Sequence, residues 1–328
     1  MTHRFYASVL LFLAGFCVFP GRSAATDDKE KQPTTRPVIS EEVAPLEAIA
    51  PIAKDGNKGE AFLRKPPGDG PFPAVVLVHG GLAKQSTAEL KDHALGTWTS
   101  RFLAAGYVVA DTTYRSRDVD PQTRDSLEDV LATIEHVRKL PYVDAKSIVV
   151  TGSSGGGDLA LSVAAETDIA IMVIEEPASM IFMGMFNKNV PKQGERYTAQ
   201  DGARHFGDDY KPFYTPECQK LTRDKIAKFR CPILLIQGDH PVKKLNEGIL
   251  LAELKAADKT VEVFNYKGEP HSFAFLSAPL RFKPGRSPHP NVARKAFEDV
   301  DGYLRKQLKT MPVPIDPKLV KQVPIETK

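Results

Sequence analysis

The chain is poor in cysteine, with three among its 328 residues: Cys17, Cys218 and Cys231. No histidine cluster accompanies them, so neither a thiolate zinc site nor another metal site is expected. Charge of one sign is lacking too, since 44 Lys and Arg stand against 41 Asp and Glu. No basic run is interleaved with aromatics, which leaves nucleic-acid binding without support. The dinucleotide-cradling G-x-G-x-x-G spacing is absent. The glycine-rich stretch 151–157 also lacks the Gly-Lys-Ser/Thr ending of a phosphate loop. No cofactor is therefore expected. There is no internal repeat, and no segment after residue 25 is long and apolar enough for stable membrane insertion.

The first 25 residues have a short polar start with His3 and Arg4, an apolar core over 7–18, and Ser23-Ala24-Ala25 before Thr26. That pattern is a signal peptide with a small-x-small cleavage site, and it predicts an exported protein, periplasmic or secreted. Phe16 stands before Cys17 where a lipobox needs a small residue, so a lipid anchor is not favoured. Residues 26–45 are charged, Pro-containing and poor in large apolar groups, and read as a flexible leader. Residues 311–328 carry four prolines among lysines and read as a flexible tail. One domain over 46–310 remains. In an oxidising compartment Cys218 and Cys231 could pair, or Cys231 could be a buried free thiol at the start of a strand.

Apolar runs at 72–78, 107–111, 148–150, 169–174, 233–236 and 261–266 alternate with helical patterns at 97–105, 126–139, 159–166, 246–257 and 292–308. The alternation predicts an α/β fold: a mostly parallel twisted sheet with helices on both faces. Functional residues in such a sheet gather beyond the carboxyl ends of the strands. An insertion at 178–229 breaks the rhythm before the penultimate strand. It holds Met180, Phe182, Met183, Met185 and Phe186, then Tyr197, Phe206, Tyr210, Phe213 and Tyr214. It reads as a cap or pocket wall, or as apolar packing onto the domain.

The densest signal is Gly152-x-Ser154-x-Gly156, entered from an apolar strand and left on an apolar helical pattern. Strand, tight turn and helix are the context of a nucleophile elbow. The register favours Ser154, because Ser153 would put β-branched Thr151 where Ser154 has Gly152. A serine hydroxyl needs a base. His271 follows the last strand in a loop, whereas His93, His136, His205, His240 and His289 sit in helical or polar surroundings, and His79 is placed to shape a turn.

The stretches LVHGG (77–81), DTTYRSRD (111–118), VVTGSSGGG (149–157), CPILLIQGD (231–239) and YKGEPHSF (266–273) resemble the α/β-hydrolase superfamily. They are most similar to its prolyl-oligopeptidase and dienelactone-hydrolase branches. The resemblance implies an α/β-hydrolase fold in which Ser154 attacks an acyl carbon, His271 moves the proton, and an acid orients His271. It also implies that N–H groups of Gly155 and Gly81 bind the oxyanion, with Leu82 as the fallback second donor. Asp239 is the expected acid. The family usually has two residues between the strand-end glycine and the aspartate, but here Asp239 follows Gly238 directly and His240 comes next. Glu175 and Glu176, after the preceding strand, are the substitutes that other branches permit.

The expected function is an exported serine hydrolase acting on a small-molecule ester or short peptide. Family peptidases commonly carry a β-propeller for which the core has no room, so the esterase reading leads the peptidase one. A non-catalytic binding protein on the same scaffold is the alternative of another class, though such proteins usually lose the serine or histidine.

Overall fold

The computed structural model describes residues 35–118, 120, 123–185, 210–274 and 290–324, with Pro290 described by its backbone alone. The expected signal peptide lies outside the described residues, as do Phe186, Tyr197 and Phe206 of the insertion.

The strands are β1 (Thr35–Val38), β2 (Glu47–Ile49), β3 (Ala61–Arg64), β4 (Phe72–Val78), β5 (Val108–Thr112), β6 (Val143–Ser153), β7 (Ile171–Glu175), β8 (Ile233–Gln237), β9 (Val261–Asn265) and β10 (Lys321–Pro324). All six expected apolar runs are among them. Eight strands form one sheet in the order β2-β3-β5-β4-β6-β7-β8-β9. The β2/β3 and β3/β5 pairs are antiparallel and the remaining pairs parallel. The expected mostly parallel sheet is therefore present, with two short antiparallel strands at one edge.

The helices are α1 (Thr87–Ala94), α2 (Thr97–Ala105), α3 (Asp125–Arg138), α4 (Gly155–Ala164), α5 (Pro216–Ile226), α6 (Val242–Leu245), α7 (Leu251–Ala256) and α8 (Pro290–Gln307). Successive strand residues face opposite sides of the sheet. In β4, Ala74, Val76 and Val78 join the core beneath α3, α4, α5 and α7, while Val75 joins the core beneath α2 and α8. The second core is aromatic: the Phe297 ring meets both Trp98 and Phe102 edge-on, at 5.4 and 5.1 Å. Helices thus cover both faces, as a sheet with continuous apolar strands requires.

Within the insertion, Met180, Phe182, Met183 and Met185 are buried in the first core, and Tyr210, Phe213 and Tyr214 pack against it. The described part of the insertion thus contributes to packing.

The ends differ from expectation. Leader residues 35–38 and tail residues 321–324 pair antiparallel as β1 and β10, with Thr35 opposite Pro324. Ile39 and Ala44 of the leader are buried in the second core together with Ile315 of the tail. The leader is held by Arg64, which is 1% exposed and whose guanidinium donates to the carbonyls of Ile39 (2.7 Å) and Ala44 (2.9 and 3.1 Å). Composition did not reveal this, because a single buried cation can order a polar segment through its backbone carbonyls.

Replacing Arg64 by Leu would leave those carbonyls without donors. Arg64→Leu is expected to cost about 3 kcal/mol, since buried groups stripped of a charged partner lose about 1–3 kcal/mol each. The fall in the urea midpoint measures it. An unchanged midpoint would show that Arg64 does not hold the leader.

Candidate active site

β6 runs into Ser154, whose backbone is strained at φ 52° and ψ −118°, and α4 begins at the next residue. The Ser154 N–H donates to the Glu175 carbonyl (3.0 Å), and its own carbonyl accepts from Asp158 (3.0 Å) and Ala178 (2.9 Å). The turn closes because two positions carry no side chain. A Cβ on Gly152 would lie 2.6 Å from the Gly156 backbone, and one on Gly155 would lie 2.2 Å from the Gly81 carbonyl oxygen. The second contact places the loop after β4 directly against the start of α4.

His271 lies in the loop after β9. Its Nδ1 is 2.8 Å from Glu176 Oε2. A carboxylate facing Nδ1 fixes the proton there, so Nε2 is left as the acceptor. That Nε2 is buried and has no hydrogen-bond partner among the described residues. Glu176 is fully buried and also accepts from the N–H groups of Ser272 (3.0 Å) and Gly238 (2.9 Å). Burial alone would raise the Glu176 carboxyl. The His271 hydrogen bond and charge, with the two backbone N–H groups, outweigh it and hold the group below the usual carboxylate range.

Asp239, the expected partner of His271, is placed elsewhere. Its Oδ2 accepts from the Gly268 N–H (2.6 Å), Lys243 lies 3.9 Å from its Oδ1, and its side chain is 47% exposed. Because Asp239 follows Gly238 directly, it leaves the end of β8 too early and caps the turn at Gly268 instead. Glu175 is engaged differently. Its buried Oε1 accepts from the Ala274 N–H (2.6 Å) and ties down the loop beyond His271. Ser153 also meets that loop, through a short hydrogen bond to Ser272. Among the described residues four non-glycines have positive φ, and three of them, Ser154, Glu176 and Ser272, belong to this cluster. Such strain gathers at functional sites because only a firm surrounding structure sustains it.

The loop after β4 is braced by residues that sequence reasoning left without a role. Tyr114 Oη shares its proton between the carbonyls of Gly81 (2.8 Å) and His79 (3.1 Å), and its ring stacks on His79 at 4.2 Å. The Arg117 N–H donates to Leu82, and its guanidinium pairs with buried Asp158 of α4 at 2.5 Å. His79 Nδ1 donates to the Gly80 carbonyl (2.8 Å), and burial pushes this imidazole down to about 4, so it stays neutral and shapes the turn. The spacing from Tyr114 to Arg117, just past a strand end, was the available signal. Its partners are distant in sequence, so the signal was not readable alone.

A cavity of about 90 Å³ lies beneath this turn, lined by Trp98, Asp111, Ser153 and Ser272 among others. Ser154 does not line it, so it is not where a reactant would meet the serine. Cys218 and Cys231 are both free and buried. No group of residues able to hold a metal ion occurs among the described residues.

Glu176→Gln separates charge from shape. A carboxyl held low in the folded state adds stability above its ordinary range, and that stability is lost as pH falls through the folded value. The substitution is expected to cost about 2 kcal/mol at neutral pH, typical of a hydrogen-bonded buried charge. The difference should vanish in acid. A difference independent of pH would show that the Glu176 charge is not stabilised here.

Residues 63–193 match the BD-FAE family model. No curated protein matches the chain. Among solved structures, the esterase Est22 is 17% identical with TM-score 0.56, over 81% of this chain and 84% of that one. A Pyrobaculum calidifontis esterase is 22% identical with TM-score 0.54, over 80% and 85%. A Mycobacterium tuberculosis puromycin-hydrolyzing peptidase is 17% identical with TM-score 0.58; the match covers 83% of this chain but only 41% of the peptidase. At these identities the likeness is one of architecture, and that architecture is the α/β-hydrolase fold.

Proposed function

We propose that the protein is an exported serine hydrolase that cleaves small esters through an acyl-enzyme on Ser154. The observation that carries the reading is the Glu176–His271 hydrogen bond, which leaves a buried, unpartnered Nε2 on the imidazole, in a chain that also carries a strained elbow serine where β6 meets α4. In this reading Ser154 Oγ attacks the acyl carbon while its proton passes to His271 Nε2. The N–H groups of Gly155 and Gly81 take up the negative charge on the acyl oxygen. The imidazolium then gives its proton to the departing alcohol. A water molecule repeats the sequence to release the acid, with His271 again as base. Glu176, rather than Asp239, holds the tautomer and balances the transient positive charge. Export rests on the sequence of residues 1–25, and mass spectrometry of the secreted protein's N-terminus tests it.

The match to a peptidase supports a second reading, hydrolysis of short peptides by the same groups. Activity on aminoacyl amides in place of acyl esters would favour it.

Ser154→Ala is expected to abolish ester turnover and fluorophosphonate labelling with little change in melting temperature. Labelling that persists on another serine would sink the assignment, and a wild-type chain that takes up no label would favour a non-catalytic binding protein. Glu176→Gln should cost up to about 10⁴ in rate, the loss seen when a comparable triad loses its acid. Asp239→Asn should cost less than about tenfold. The reverse order would return the role to Asp239. Activity should also fall on acidification, because a protonated base cannot take the serine proton. A profile flat across the histidine range would count against His271.

A further inference from the structure

We propose that His240 is a positioning residue that stacks, as a neutral ring, on the base His271 and supports its transient imidazolium; this rests on the hydrolase reading above. His240 lies one residue beyond Asp239, in the turn where the superfamily resemblance would place the acid. It is not a solvated loop histidine. It is half-buried, and its ring centroid lies 4.1 Å from that of His271 with the planes 33° apart.

Its protonation state follows from geometry. The Val242 N–H donates to His240 Nδ1 (3.2 Å), so Nδ1 must carry a free lone pair and the single ring proton sits on Nε2. A protonated ring would lose that hydrogen bond and face a second imidazole of like charge. Burial, then repulsion from His271, push His240 down to about 4, in agreement with the geometry.

Two effects follow. A flat neutral ring packed on one face of His271 restricts the tilt of the base, while Glu176 fixes its Nδ1 edge. The electron-rich face of a neutral aromatic ring also favours a cation laid against it. His271 becomes that cation only when it has taken the serine proton. The contact therefore strengthens in the transition state and should act on kcat more than on KM.

The test compares wild type, His240→Ala and His240→Phe on one activated ester, with melting temperatures alongside. His240→Ala should lower kcat about tenfold, the scale of one lost stacking contact, with KM nearly unchanged. His240→Phe, which restores a flat ring without a titrating nitrogen, should recover kcat to within about threefold of wild type. Wild-type kcat in His240→Ala would overturn the inference. So would a loss that Phe does not restore and that follows melting temperature. A wild type that neither hydrolyses esters nor takes a fluorophosphonate on Ser154 would overturn the hydrolase reading, and this inference with it. That outcome differs from an active wild type with an indifferent His240→Ala.

Discussion

The site depends on one buried charge being fully solvated by the protein. Glu176 is removed from water, and an isolated carboxylate there would cost several kcal/mol. It is tolerated because His271 Nδ1, Ser272 N–H and Gly238 N–H all point at it. Those donors come from two places, the end of β8 and two consecutive residues of the loop after β9. Satisfying the charge therefore fixes where these segments sit. The orientation of His271 is a consequence of neutralising Glu176 as much as a requirement of the proposed reaction.

The sheet makes this economical. In the β6/β7 pairing Ser153 lies opposite Glu175, so Ser154 and Glu176 leave adjacent strands at the same level. Both turn through positive φ as they leave. An acid on β7 starts one strand nearer the serine than an acid on β8 would, as the order β6-β7-β8 shows. With the carboxylate supplied from β7, the turn after β8 no longer has to carry one inward. It is shortened, its aspartate faces water, and an imidazole takes the inner position.

Much of this was legible in sequence. The strands from β4 to β8 carry apolar runs because both their faces are covered, and burial on both faces writes itself plainly into composition. The strained turn at Ser154 was legible because it demands glycines at fixed offsets, and the place of His271 in the fold because it follows the last strand. The carboxylate that bonds His271 was not, because Asp239 and Glu176 both stand just beyond a strand end, and only the path of the backbone decides which one reaches inward. The short strands β2 and β3 were missed for lack of length. Helix α1 was missed although Ser86 and Glu89 form a reciprocal capping pair at its start, a local signal visible at i and i+3. Arg64, Tyr114 and Arg117 act through backbone carbonyls or partners distant in sequence, contacts that no residue pattern encodes.

The β1–β10 ribbon bears on how the chain can be assembled. Its register pairs residues 35–38 with 321–324, so two strands some 280 positions apart lie side by side. The intervening chain must be made, and its strands brought together, before the two ends can meet. On a ribosome the ribbon must therefore wait until residues 321–324 have emerged. The same adjacency makes the topology close to circular. A short linker could join the outer ends of β1 and β10, and new termini could be opened in an exposed turn at the opposite end of the sheet from Ser154, without asking any core strand to change neighbours.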